Sequence, residues 1–296
     1  MVAAAGLSHG APLDTDGYPP PGERFQVGGR AMHLQCSGSG APVVVLAAGL
    51  GGTTLEWARV QPGVANFTRV CSYDRAGYGW SERGSGPRTA AVNASELVEL
   101  LGRGGLAAPF VLVGHSFGGL VVRAFVAMQP ERVAGLVLID SSHEAQFERL
   151  ERAGSGPPLA PPVGAKFVIA NTFQVPDGLP TELRMLARRL ALTPDAIVAL
   201  YAELGAMRWS ADQVAREPPL PQIPLVVLAH DALSTARTSS ERRRAEDWLT
   251  LQAELAKRIP GGRLLVVKDS GHHVHLDQPD VVVETIRSVV AAADFP

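Results

Sequence analysis

The chain has 296 residues, 46% of them apolar, enough to bury a sizeable core in one large α/β domain or two small ones. Its 27 basic and 29 acidic residues leave a formal net charge of −2, which offers no electrostatic case for nucleic acid or an anionic membrane surface as a partner. Two cysteines, Cys36 and Cys71, are too few for a disulfide scaffold or a zinc site; both lie in strand-like runs, as buried thiols or, if those strands are neighbours, as one bridge.

Residues 1–22 are rich in Gly and Pro and read as a mobile arm, without the basic start and apolar run of a signal peptide. No stretch reaches the ~18 consecutive apolar residues of a membrane span. The cytoplasm is therefore the default location, with export open if a targeting segment has been removed. From Arg24 the chain reads as strands: "RFQVGG" and "AMHLQCSG" around a tight Gly28-Gly29 turn, then "PVVVLAAG" (42–49), an apolar run suited to a strand buried on both faces. "RVCSYD" (69–74) is the next strand, and "ASELVELLGRGG" (94–105) has helical spacing with a Gly stop. The strand "PFVLVGH", the helix "FGGLVVRAFVAMQP" and the strand "VAGLVLID" (133–140) follow.

The rhythm then breaks. Between Ser142 and Pro221 lie helical fragments, "TELRMLARRLAL" and "PDAIVALYAELGAM", divided by proline clusters, and only "KFVIA" resembles a strand. Residues 142–221 are expected to form a helical cap inserted into a core made of 23–141 and 222–296. Strand–helix alternation resumes with "IPLVVLAH" (223–230), a helix near 240–258, "GRLLVVKD" (262–269) and "DVVVETIRSVVAAA" (280–293). The pattern predicts an α/β fold with a mostly parallel sheet and helices on both faces, its ligand beyond the carboxyl ends of the strands.

Ser116 stands at such an end, in "FVLVGHSFGGL". A G-x-S-x-G between strand and helix forms a sharp turn that projects the serine oxygen from the sheet. Gly114 and Gly118 remove Cβ atoms that would collide there. The bland alternative is a turn serine that caps the helix. A nucleophilic serine needs a base, and "KDSGHHVHLDQPD" supplies His272 in the loop after the last strand, with His273 and His275 as rivals. Three clustered histidines also raise metal binding, but no matching Cys, His or Glu group stands at ligand spacing elsewhere, so no metal is expected.

From about Glu23 to its end the chain resembles α/β-hydrolase-fold enzymes of the esterase and lipase type. The motifs that carry the likeness are "VVVLAAGLGG" (43–52), "YDRAGYGWSE" (73–82), "VGHSFGG" (113–119) and "SGHHVHLDQP" (270–279). The resemblance implies an eight-stranded, mostly parallel sheet and a Ser-His-acid triad with Ser116 and His272, and it needs no cofactor. It also implies oxyanion donors at the amides of Leu50 and Phe117. Ala48 stands where the family often has histidine. The family's acid follows either the sixth or the seventh strand, which makes Asp140 the first candidate and Asp231 the alternative. Serine at 116 argues against the aspartyl chemistry of epoxide hydrolases and haloalkane dehalogenases.

Around these, Asp74 and Arg75 read as an ion pair bracing a turn, Trp80 and Tyr78 as pocket lining or packing, and His143 as a substrate contact. His115 is expected to pack beneath the elbow and His33 to be structural. "ERRRAED" (241–247) reads as a solvated helix face. Apolar cap residues (Phe147, Phe167, Phe173, Leu186, Tyr201, Met207 and Trp209) suit a small-molecule ester of short to medium acyl length. Serine aminopeptidase, acyltransferase and cofactor-free haloperoxidase share the triad; a non-catalytic receptor would share only the pocket.

Overall fold

The computed structural model of the chain describes residues 18–152 and 175–293. Most of the expected arm, the fragment "KFVIA", Phe167 and Phe173 lie outside the described residues. The strands are β1 (Glu23–Val27), β2 (Arg30–Ser37), β3 (Val43–Ala47), β4 (Val70–Tyr73), β5 (Phe110–His115), β6 (Val133–Ile139), β7 (Leu225–His230) and β8 (Arg263–Val267). They form one eight-stranded sheet in the order β1-β2-β4-β3-β5-β6-β7-β8. Strand β2 runs antiparallel to both β1 and β4, and the pairs from β4 through β3 to β8 are parallel.

Helices α1 (Gln61–Ala65), α2 (Ala90–Arg103), α3 (Phe117–Met128), α4 (Gln146–Arg152), α5 (Thr181–Ala191), α6 (Pro194–Ala215), α7 (Ala232–Thr235), α8 (Ser239–Ala256), α9 (Val274–Asp277) and α10 (Pro279–Ala292) complete the described elements, with two short 3-10 turns. Every residue of β3, β5 and β6 is buried, which is why these segments read as unbroken apolar runs rather than alternating ones. On one face Leu97, Leu100, Phe125 and Leu255 pack from α2, α3 and α8; on the other, Val64, Val282, Ile286 and Val289 pack from α1 and α10. At ~1.5–3 kcal/mol for each large apolar side chain buried, these two layers supply the main drive to fold.

Two helices differ from expectation at their ends. Helix α2 begins at Ala90 because the Thr89 hydroxyl accepts from the Val92 amide, and α6 runs on to Ala215 behind its own cap, Thr193, with Pro194 first in the helix. Cys36 and Cys71 face each other across the β2–β4 pair and are joined as a disulfide, the bridge that neighbouring strands permit.

Candidate active site

The chain turns sharply at Ser116, whose φ of 50° and ψ of −119° are rare for a residue with a side chain. Such backbone costs ~1–3 kcal/mol and persists only where the surroundings hold it. Here the Ser116 amide donates to the Ile139 carbonyl at 3.0 Å, while its own carbonyl accepts from Gly119 and Ser142, each at 3.0 Å. The glycines are required by crowding. A Cβ on Gly114 would lie 2.6 Å from the Gly118 carbonyl oxygen, and one on Gly118 would strike the carbonyls of Ala47 and Ala48. Ser116 occupies the N-cap position of α3 but its side chain makes no capping bond, so the capping alternative fails. The residue lines a cavity of about 760 Å³ above the carboxyl end of the sheet, shared with Leu50, Phe117, Asp140, His230, Trp248 and His272.

Asp140 follows β6 and is fully buried, again with a positive φ, 42°. His272 Nδ1 lies 2.6 Å from Asp140 Oδ2. A second histidine, His230, holds the same oxygen through Nδ1 at 2.8 Å and reaches Oδ1 through its backbone amide at 3.2 Å. Trp248 Nε1 donates to Oδ1 at 2.8 Å. Burial alone would raise the Asp140 pKa, but the hydrogen bonds from His230 and His272 outweigh it and hold the carboxyl at about 2. Asp231, at the start of α7, is not bonded to His272; its amide donates to the Val267 carbonyl. His230 and Trp248 did not stand out in the sequence. For His230 the available signal is topological: β6 and β7 pair with Ile139 opposite Leu228, so Asp140, just past β6, lies beside the end of β7, where His230 stands.

The same pair makes a pH-dependent contribution to stability. Burial lowers the His230 pKa, but its bond to Asp140 more than offsets this and raises it above the usual 6.5. A raised histidine pKa adds stability that is fully present below pH ~6.5 and is lost as pH rises through the higher folded value. His230→Gln should therefore lower Tm most at pH below about 6.5, the deficit against wild type shrinking as pH rises through the raised folded value; a pH series of thermal melts on both proteins reads this.

The loop before the cavity is held from below. Arg75 donates to the carbonyls of Ala48 (2.7 Å) and Gly49 (2.8 Å), the residues preceding Leu50. Its charge is met by Glu203 of α6, with Nε 2.7 Å from Oε1 and Nη2 3.0 Å from Oε2. Tyr78 donates its hydroxyl to Glu203 at 2.9 Å, and Asn93 its amide at 3.2 Å. Burial works against the Arg75 charge, but the Glu203 carboxylate outweighs it and holds the guanidinium protonated. The expected Asp74–Arg75 pair is thus corrected: Asp74 instead binds His33 Nδ1 at 2.8 Å and accepts from the amides of Thr54 (2.7 Å) and Trp80 (3.1 Å). The reason is direction, since adjacent residues leaving a strand point to opposite sides. Glu203→Ala would leave Arg75 buried with its charge unmatched, a loss expected to cost about 3–5 kcal/mol; urea unfolding of the variant and wild type measures it.

Among the described residues, the amides of Leu50 and Phe117 donate to no backbone carbonyl and no side chain, and both residues border the cavity. Phe117 also opens α3, where the helix dipole favours negative charge. Trp80 and His143, expected as pocket residues, lie elsewhere. Trp80 packs with Leu55 and Leu190 and donates to the Tyr18 carbonyl at 3.1 Å. His143 is buried, accepts from the Ala145 amide at 3.0 Å, and is driven down to about pKa 3 chiefly by burial. Of the seven apolar residues expected to supply the pocket, Phe147 and Met207 line the cavity, while Leu186 packs near Trp80 and Trp209 is 53% exposed. The helix face "ERRRAED" is only partly solvated: Glu241, Arg242 and Arg243 are exposed, whereas Arg244 is half-buried and Ala245 buried, and Glu241, Arg244 and Ala245 border the cavity. His115 is buried below the elbow, its Nε2 2.9 Å from the His272 carbonyl, and burial first, then the neighbouring histidines, hold its pKa well below 6.5.

The sheet order, the strained serine at a strand-to-helix turn and the histidine beyond the last strand together define an α/β-hydrolase fold. The chain belongs to the Alpha/beta hydrolase family, whose sequence model matches residues 44–285. It is 26% identical over 280 residues to an AB hydrolase superfamily protein of Gibberella zeae, covering 84% of this chain and 86% of that one. It is 29% identical over 267 residues to Lipase LipV of Mycobacterium tuberculosis, covering 87% and 97%. In three dimensions it is similar to a thermophilic esterase from Thermogutta terrifontis, with a TM-score of 0.62 at 23% identity over 90% of this chain and 96% of the other.

Proposed function

We propose that the protein hydrolyses carboxylic esters through Ser116, His272 and Asp140. The observation that carries this reading is one cavity bordered by both an uncapped serine in strained backbone and a histidine 2.6 Å from a buried carboxylate. Asp140 fixes the imidazole with Nδ1–H toward itself, which leaves Nε2 as the base. Ser116 attacks the ester carbonyl carbon as His272 takes its proton. The oxyanion of the tetrahedral intermediate is met by the amides of Leu50 and Phe117, each worth roughly 3 kcal/mol. The C–O bond then breaks, and the alcohol leaves with the proton from His272. Water, deprotonated by the same histidine, attacks the acyl-enzyme and releases the acid.

The described part of 142–221, residues 142–152 and 175–221, serves in this reading as a cap over the site. From it Phe147, Leu150, Leu179, Leu204 and Met207 give the cavity an apolar wall, which suits short to medium acyl chains. Among its described residues none of the acids borders the cavity, and Glu203 is tied to Arg75, so the cap itself offers no carboxylate for an aminopeptidase's substrate amine; the carboxylates of Glu56 and Glu241 reach the cavity from the core. Turnover of p-nitrophenyl esters of rising chain length is the test. The expected profile rises from acetate to a maximum at short to medium acyl length, then falls. No turnover at any length would contradict the reading.

A further inference from the structure

Beneath the elbow lies a second cluster that the ester chemistry does not use. Glu56, in the short turn Thr54–Trp57, His115, last in β5, and His275, in α9, each offer a ligand atom, and these atoms lie within 4.8 Å of one another. His115 and His275 are 2% and 0% exposed. His115 Nδ1, both ring nitrogens of His275 and Glu56 Oε2 are buried with no hydrogen-bond partner. Leaving such atoms bare costs ~1–3 kcal/mol each, and a group of them in one place calls for a water or an ion. The sequence offered no metal spacing because the ligands come from three separate segments that only the fold brings together.

We infer that Glu56, His115 and His275 form a binding site for a divalent transition ion, zinc foremost. The donor set, two imidazoles and a carboxylate, is one that zinc accepts while keeping a fourth position for solvent. His275 Nε2 and Glu56 Oε2 are 3.8 Å apart, within half an ångström of the roughly 3.4 Å between two ligands of a tetrahedral ion. His115 Nε2–H donates to the His272 carbonyl, which leaves Nδ1 as a bare lone pair. That arrangement fixes a ring for coordination, as outer partners of ligating histidines do. Glu56 and His115 both border the large cavity, which gives an ion and its solvent ligand a way in. An ion here would tie together the turn after Leu50, the elbow strand and the loop that carries His272.

The test uses the full chain, treated with EDTA, desalted and equilibrated with zinc chloride. Gel filtration followed by elemental analysis should find about one zinc per chain, with a rise in Tm of at least ~2 °C. Glu56→Gln and His275→Asn should each weaken uptake by at least about 10-fold. X-ray absorption of the loaded wild type should show two imidazoles with oxygen, a readout that stands even if a variant fails to fold. Negligible uptake by the wild type would overturn the proposal and leave the cluster to water. So would uptake equal in the wild type and both variants, or a spectrum without imidazole scattering. Ester turnover of the EDTA-treated chain is measured separately, so failure here is distinct from failure of the serine chemistry.

Discussion

Ser116→Ala is expected to reduce kcat on a p-nitrophenyl ester by about 10⁶-fold, leaving only what the cavity and oxyanion donors achieve with water. The variant should fold normally. Its side chain makes no capping bond, so the substitution removes an oxygen without orphaning a buried partner. The backbone bonds that hold the turn, to Ile139, Gly119 and Ser142, involve main-chain atoms only and survive the change. Single-turnover kinetics on purified protein, with a melt as the folding control, checks both halves. Activity within ten-fold of wild type would place the nucleophile elsewhere.

The second large effect falls on Asp140. Asp140→Asn preserves shape but replaces an acceptor of His272 Nδ1–H with a group that can donate, which favours the wrong tautomer; a loss of about 10⁴-fold in kcat is expected. The paired control is Asp231→Asn, expected to stay within about two-fold, because Asp231 lies outside the hydrogen-bond set of His272. The two variants assayed side by side decide between the two acids. The reverse pattern would make Asp231 the partner and Asp140 a structural residue.

Much of this fold was legible in the chain. The apolar runs at 42–49 and 133–140 read as buried central strands because both faces of β3 and β6 are covered by helices. For the proposed site, Ser116 and His272 stand out in the chain because glycines and loop position mark them locally. The choice between Asp140 and Asp231 was not, because which carboxylate reaches His272 depends on how β6 and β7 align. His230 stayed hidden for the same reason: as the last residue of an apolar strand it looks like a strand end, and only pairing sets it beside Asp140. The local pattern pairs Arg75 with its neighbour Asp74, because its actual partner, Glu203, is 128 residues away on α6. Trp80 was ambiguous in sequence, since pocket and packing both want a large aromatic, and burial against Leu55 and Leu190 decides for packing.

In the proposed mechanism Ser116 is a nucleophile activated in this cavity. A fluorophosphonate probe tests it most directly, because its phosphorus is attacked only by an activated oxygen and the adduct stays on that atom. Peptide mass mapping of the labelled wild type should find a single adduct, on the peptide carrying Ser116, and none in Ser116→Ala. Labelling that persists in the variant, or an adduct on any other residue of the wild type, would contradict it.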